Sequence, residues 1–298
     1  MKLRTLAVGA LVGGLALSTV AACGKSGTPS SESAVSQTTA TNVTVAGSPT
    51  FDKMKQRGKV VIGVKEDQPG LGLKDPTTGK FSGFDIEIAR LIAGQLGFDP
   101  QSKIEYKPIP SASREQAIVN GDIDYYVGTY SITDKRKELI SFAGPYFIAG
   151  QDLLVRKAES AITGPDTLKG KKVCSVTGST PIQRVRDQKL TEDTNIVEFK
   201  TYSECVTKLS QGEVDAVTTD DAILKGYAAQ EPDKFKVVGK TFSTEKYGIG
   251  LAKDDKALRD KINDILEAAI SSGEWKTIYD ATLGKSGSPA TPPKVERY

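Results

Sequence analysis

Three groups of residues in this 298-residue chain could hold a small charged molecule. The first is Thr133–Asp134–Lys135–Arg136, a helix start with Arg136 in its opening turn; a guanidinium fork matches a carboxylate bidentately. The second is Thr177–Gly178–Ser179–Thr180–Pro181, read as a helix whose capping box opens at Thr180, with Pro181 at the first helical position. Backbone N–H groups ahead of such a helix point outward, where the helix dipole favours an anion. The third is Asp220 in Thr219–Asp220–Asp221, a carboxylate suited to an ammonium group. An arginine, a helix N-terminus and an aspartate converging on one cleft meet both charges of an α-amino acid. Singly these features are ordinary, since most capped helices are only capped and most surface charges only solvated.

The same inventory excludes a good deal. The chain has no histidine, which removes Ser–His and Cys–His nucleophile pairs, histidine metal sites and imidazole acid–base catalysis. Its formal net charge of +3 lacks the concentrated basic surface that nucleic acid requires. Asp254–Asp255 and Asp220–Asp221 read as solvated acid pairs, so neither metal nor cofactor is expected.

Positioning those groups falls to a chain that nearly repeats itself. Gly58–Lys59–Val60–Val61–Ile62–Gly63–Val64 predicts a strand, and Gly170–Lys171–Lys172–Val173–Cys174–Ser175–Val176 predicts another; Pro69 and Pro181 follow at the same spacing. Asn120–Gly121–Asp122–Ile123–Asp124 is echoed by Gln211–Gly212–Glu213–Val214–Asp215. Each echo follows a short helix expected to open with a capping box, Ser113…Gln116 and Thr201…Glu204. Alternating β-branched strands and amphipathic helices imply two related α/β lobes on parallel sheets. Phe84–Leu96 and Asp255–Ser271 carry apolar stripes read as core packing, stopped by Gly97 and Gly273. Ligands bind at the carboxyl ends of strands in open parallel sheets. That rule picks Lys65–Glu66–Asp67 and Thr177–Thr180 after the first strand of each lobe. After the echoed strands it picks Thr129–Tyr130–Ser131 and Thr219–Asp220–Asp221.

The first 23 residues read as an export address: Lys2 and Arg4, an apolar run from Leu6 to Leu17, then small residues. That run is about a dozen residues, short of the roughly 20 that span a bilayer; a buried N-terminal helix is the competing reading. Val20–Ala21–Ala22–Cys23–Gly24 resembles a bacterial lipobox, in which the cysteine is lipidated and becomes the new N-terminus. Residues 1–22 would then be a signal peptide, and 23–48, rich in Ser, Thr, Gly and Ala, a lipidated cysteine with a flexible tether. Residues 285–298 are expected to be a flexible tail. Cys174 and Cys205 remain as an even pair in an exported protein. They form either two buried thiols or a bridge, and closing a loop of about 31 residues would contribute roughly 3–4 kcal/mol.

Gly83–Phe84–Asp85–Ile86–Glu87–Ile88–Ala89–Arg90–Leu91–Ile92–Ala93 resembles the signature of family 3 extracytoplasmic solute-binding proteins, the amino-acid receptors of ABC importers. The resemblance runs on through Asp124, Ser131–Lys137 and Phe142…Pro145–Tyr146. It resumes at Gly170–Pro181, Gly212–Asp220 and Tyr247–Leu251, covering roughly residues 50–284. Within the family it is nearest the glutamate-binding lipoproteins of bacterial glutamate uptake systems, which carry the same cysteine pairing. It implies a two-lobed, periplasmic-binding-protein-like (type II) α/β fold with hinge strands near Ile148–Leu153 and Phe242–Gly248. Lobe 1 would comprise residues 50–147 plus 249–284, and lobe 2 residues 153–243.

Carried onto this sequence, the resemblance gives Arg136 the ligand α-carboxylate, helped by Ser131 and by Ser179 or Thr180 beside Thr177. It gives Asp220 and the Thr129 carbonyl the α-ammonium. Lys65 and Arg184 are the expected readers of an acidic side chain. Many relatives place aromatics after strand one and near Pro110–Ser111, where this chain has Pro69–Gly70–Leu71–Gly72 and none; Tyr130 is the expected substitute wall. The implied function is capture of an acidic amino acid, glutamate foremost, by a lipid-anchored monomer at the outer face of a bacterial cell membrane, for delivery to an ABC permease. Glutamine or aspartate reception and a ligand-gated sensor are alternatives. An enzyme on the same scaffold, with Glu66 or Asp67 as general acid, fits a histidine-free chain poorly.

Overall fold

Ser48 and Pro49 open the first helix: the Ser48 hydroxyl accepts the Phe51 N–H at 3.0 Å, and proline fixes the entering turn. The computed structural model describes residues 35–286 and 290–298, all within one compact unit. The chain begins α1 (Pro49–Arg57), β1 (Val60–Val64), β2 (Asp67–Gln68), β3 (Gly72–Lys74), β4 (Phe81–Ser82), α2 (Phe84–Gln95) and β5 (Ile104–Pro108). It continues through α3 (Arg114–Val119), β6 (Tyr125–Tyr126), α4 (Asp134–Lys137), β7 (Ser141–Ala149) and β8 (Gln151–Arg156). Next come β9 (Val173–Val176), α5 (Thr180–Asp187), β10 (Ile196–Phe199), α6 (Tyr202–Ser210), β11 (Ala216–Asp220) and α7 (Asp221–Gln230). β12 (Phe235–Val237), β13 (Glu245–Leu251), α8 (Lys256–Ser272) and α9 (Glu274–Ala281) complete it.

Two five-stranded sheets carry the two lobes, in the orders β5-β1-β6-β13-β7 and β10-β9-β11-β8-β12, and β2-β3-β4 form a small third sheet. The repeated sequence accounts for the shared half of that order: β1 runs parallel to β5 and β6, as β9 does to β10 and β11. The other two strands of each sheet run antiparallel, so the sheets are mixed and not purely parallel as expected. These are the crossing strands. β7 passes through Gly150 straight into β8, and the chain returns from β12 to β13.

The echoed aspartates have a structural task. Asp124 Oδ2 accepts the Val61 N–H at 2.7 Å and Asp215 Oδ2 the Lys172 N–H at 2.8 Å, tying each echoed strand to the first strand of its lobe. The apolar stripes of α2 and α8 are buried as read, through Ile88, Leu91 and Ile92 in one and Ile262, Ile265 and Leu266 in the other. Thr201 and Glu204 form the expected capping box on α6. Ser113 forms none, because a 3-10 turn at Ser111–Ser113 runs directly into α3 and keeps its backbone outside the extended cap conformation. Cys174 and Cys205 are bonded, fastening β9 to α6.

Two expected flexible stretches are docked. Within the tether, the Ala40 N–H donates to Gly94 O at 2.9 Å, and Val35 and Val45 are buried; these valines outweigh the polar composition around them. In the tail, the Glu296 N–H donates to Gly144 O at 2.8 Å and the Phe142 N–H to the Tyr298 hydroxyl at 2.8 Å, while Val295 is buried. The signal peptide of residues 1–22, the lipidation site Cys23 and the tether as far as residue 34 lie outside the described residues.

Candidate functional site

The carboxyl ends of the strands meet where the two sheets face each other. β6 delivers Thr129 and Ser131, the turn beyond β5 delivers Ser111 and Arg114, and α4 delivers Arg136; all five line one pocket. From the second lobe come Ser179, Thr180 and Pro181 at the start of α5, Tyr202 at the start of α6, and Asp220 and Ile223 around the start of α7.

Arg136 reaches across. Thr133 caps α4 by accepting the Arg136 N–H at 3.2 Å. The guanidinium donates Nη1 to Ser131 O at 2.7 Å, Nη2 to Gly178 O of the other lobe at 3.2 Å and Nε to Glu115 at 3.1 Å. Burial and the neighbouring Arg114 lower its pKa. Arg114 stacks over the Tyr130 ring, 4.1 Å from its centroid, and donates Nε to Ser111 O at 3.1 Å. It has no carboxylate partner within ion-pair distance among the described residues. Lys65 sits behind this wall, its Nζ donating to Ser111 Oγ at 2.8 Å. Burial, then repulsion from Arg114, lowers its pKa to about 7.

Asp220 faces these cations. It is buried; Oδ2 accepts the Tyr247 hydroxyl at 2.6 Å, and Oδ1 has no partner among the described residues. Burial and then Glu245 raise its pKa to about 7. An unpartnered buried carboxylate oxygen is costly unless a ligand donor meets it. Beside it, α5 is capped by Ser179, whose hydroxyl accepts the Ile182 N–H. The capping box read at Thr180 does not form: the cap falls one residue earlier, at Ser179, where Ile182 stands at the third helical position and cannot return the bond, and Pro181 is the second helical residue. The Thr180 hydroxyl instead donates to Glu245 Oε2 at 3.3 Å and lies 3.4 Å from Ser131 Oγ across the cleft.

Of the residues singled out from sequence, Thr129, Ser131, Arg136, Ser179, Thr180 and Asp220 converge on the pocket. Lys65 stands one layer back. Tyr130 lies under the two guanidiniums, packed against Tyr126 and Phe142, so its ring is a floor for the arginines and not the expected wall; Tyr202 and Ile223 supply the apolar surface. Thr177 is exposed, its N–H bonded to Phe199 O. Arg184 is taken up by the crossing strands, donating to Gln151 and pairing with Glu245 at 2.8 Å, so it does not line the pocket. Glu66 is exposed, and Asp67 accepts the Ser203 N–H at 3.1 Å and the Tyr227 hydroxyl from the other lobe. Sequence reasoning missed Ser111, Arg114 and Tyr202. Applying the strand-end rule to β5 and β10 as well would have found all three.

Residues 60–285 match the family described as bacterial extracellular solute-binding proteins, family 3. Glutamate-binding protein GluB of Corynebacterium efficiens is 42% identical over 239 residues, 77% of this chain and 80% of that protein. The glutamine-binding protein of Geobacillus stearothermophilus is 41% identical over 247 residues, 83% and 92% of the two chains. Among solved structures, an ancestral arginine-binding protein bound to glutamine is similar with a TM-score of 0.69 and 37% identity, over 75% of this chain and 97% of that one.

Proposed function

The chain belongs to family 3 of the bacterial extracellular solute-binding proteins, and from that premise we propose that it captures an acidic amino acid, glutamate foremost, for delivery to the permease of an ABC importer. The observation that carries the acidic ligand is the charge imbalance of the pocket. Arg114 and Arg136 line it with Lys65 behind, against Asp220, the one lining carboxylate among the described residues. Glu115 answers Arg136 alone. A neutral amino acid brings one carboxylate and one ammonium; an acidic one brings a second carboxylate, which Arg114 and Ser111 are placed to meet.

In this reading Arg136, Ser131 and the start of α5 hold the α-carboxylate. Asp220 Oδ1 and the Thr129 carbonyl take the α-ammonium, and Tyr202 and Ile223 cover the methylenes. Donors come from both lobes, so the ligand favours the closed form that the permease would recognise. The lipobox-like Val20–Gly24 supports anchoring through Cys23 to the outer face of the cell membrane. Glu66 is exposed and Asp67 is bonded across to Ser203 and Tyr227, so neither general acid named for the enzyme alternative lines the pocket.

Glutamine is the second reading, favoured by the glutamine-binding relative and by the glutamine-bound ancestral structure. Calorimetry with glutamate, aspartate and glutamine, singly and in competition, separates the two. Glutamate should bind at least about tenfold tighter than glutamine, ~1.4 kcal/mol. Glutamine binding as tightly removes the acidic ligand, and no binding of any of the three removes both readings.

A further inference from the structure

Thr129 lines the pocket with a φ of +45°, a left-handed conformation that β-branched residues rarely adopt. Such a residue stays there only when its surroundings over-determine it. Here the surroundings are few and specific. The Thr129 N–H donates to Asp85 Oδ2 at 3.0 Å, and its hydroxyl donates to Gln68 Oε1 at 3.2 Å. Asp85 is fully buried, and its other oxygen accepts the Tyr146 hydroxyl at 2.8 Å. Among the described residues no cation pairs with it: what acts on its charge is burial and these two donors. A carboxylate kept in the interior on such terms is expensive, and its backbone partner is a strained residue of the ligand pocket.

The placement follows from the chain. Asp85 is the second residue of α2, where the helix dipole favours a negative charge. The Phe84 and Asp85 N–H groups are used by Gly70 O and Leu71 O, which leaves the side chain to reach forward to the turn after β6. Further along that turn, Tyr130 O accepts the Gly248 N–H at 2.9 Å and Ser131 pairs with Tyr247. The segment is thus held at three successive residues: Thr129 by the Asp85 and Gln68 side chains, Tyr130 by backbone, and Ser131 by a backbone pair and the Arg136 guanidinium.

We infer that Asp85 is a positioning residue for ligand capture, fixing Thr129 in its left-handed conformation so that the 129–131 segment offers its polar groups to the bound amino acid. This deepens the reading above and rests on it for the ligand alone.

The test is a four-protein cycle on the full chain: wild type, Asp85→Asn, Thr129→Gly and the double variant. Glycine adopts a positive φ without a penalty, so it makes the hold unnecessary. Asp85→Asn should weaken glutamate binding about tenfold beside threonine and less than about twofold in the Thr129→Gly background; an equal loss in both overturns the inference. NMR without ligand gives an independent readout. The Thr129 amide proton should lie downfield, as a carboxylate-bonded N–H does, and Asp85→Asn should move it upfield and speed its exchange; an unmoved resonance overturns the hold. If Asp85→Asn alone fails to fold, recovery of folding in the double variant supports the inference, and persistent unfolding assigns Asp85 to the core instead. A wild type that binds none of the three amino acids defeats the proposed function, and the amide signature then decides on Asp85 by itself.

Discussion

Arg114 is the lining cation that no carboxylate answers among the described residues, whereas Arg136 already pairs with Glu115 at 3.1 Å. A distal ligand carboxylate bonded to it would make charge-assisted hydrogen bonds worth roughly 1.5–3 kcal/mol. Arg114→Met, which keeps the stem over Tyr130, should therefore raise the Kd for glutamate about ten- to a hundredfold. Glutamine should move by less than about threefold, and equal losses in parallel calorimetric titrations would place the distal group elsewhere. The titrating residues make a second prediction at this scale. Asp220 has a folded pKa of about 7 against 3.8 ordinarily, and Asp85 one of about 6. Between pH 3.8 and 7 the folded state therefore holds protons that the unfolded chain has released, and stability falls as pH rises. Lys65, lowered from 10.5 to about 7, does the reverse: the unfolded chain holds the extra proton between pH 7 and 10.5, so stability climbs again. The ligand-free protein should show a stability minimum near pH 7 in denaturant titrations. Asp220→Asn should flatten most of the acid limb, leaving the share of Asp85, and spare the alkaline one; an unchanged acid limb refutes the assignment.

Among the elements, α6 depends most on a covalent constraint. The Cys174–Cys205 bridge fixes it to β9, and its first turn supplies Tyr202 to the pocket and the Ser203 N–H to Asp67. Cys174→Ala with Cys205→Ala should cost roughly 3–4 kcal/mol of unfolding free energy. It should also weaken glutamate binding, because the freed first turn must be ordered on each capture; a loss below about 1 kcal/mol with unchanged affinity would make the bridge incidental. The elements also show what a sequence can disclose. The stripes on α2 and α8 and the Thr201–Glu204 box were legible because each is set by residues within a few positions. Arg136 and Asp220 were legible because a strand end and a helix start announce them. Ser113 was misread because a 3-10 turn upstream decides its backbone, and the tail because its partners Gly144 and Phe142 lie some 150 residues away. Arg184 had the right charge on the right helix, and only the position of Glu245 on a crossing strand shows why it turns aside.

At the scale of the whole molecule, the lobes touch through a glycine at two places. A Cβ on Gly178 would stand 2.7 Å from Ala112 Cα, and one on Gly226 would stand 2.3 Å from Pro69 O. The two contacts are separate, one beside Arg136 and one beside the Asp67–Tyr227 bond. Gly178 has a φ of +77°, so any replacement there confounds backbone strain with the clash. Gly226 sits inside α7 with ordinary helical backbone, and alanine is about 0.5–1 kcal/mol better than glycine in a helix interior. Gly226→Ala should thus leave the open, ligand-free protein as stable as wild type or slightly more so. The closed form, in contrast, must accommodate a methyl group against a backbone carbonyl. If only the closed form binds tightly, apparent affinity falls in proportion to its population, and glutamate should bind about tenfold or more weakly. Small-angle scattering should show wild type contracting at saturating glutamate and Gly226→Ala contracting less. Full contraction with native affinity would mean that Pro69 and α7 do not approach this closely in the working closed state.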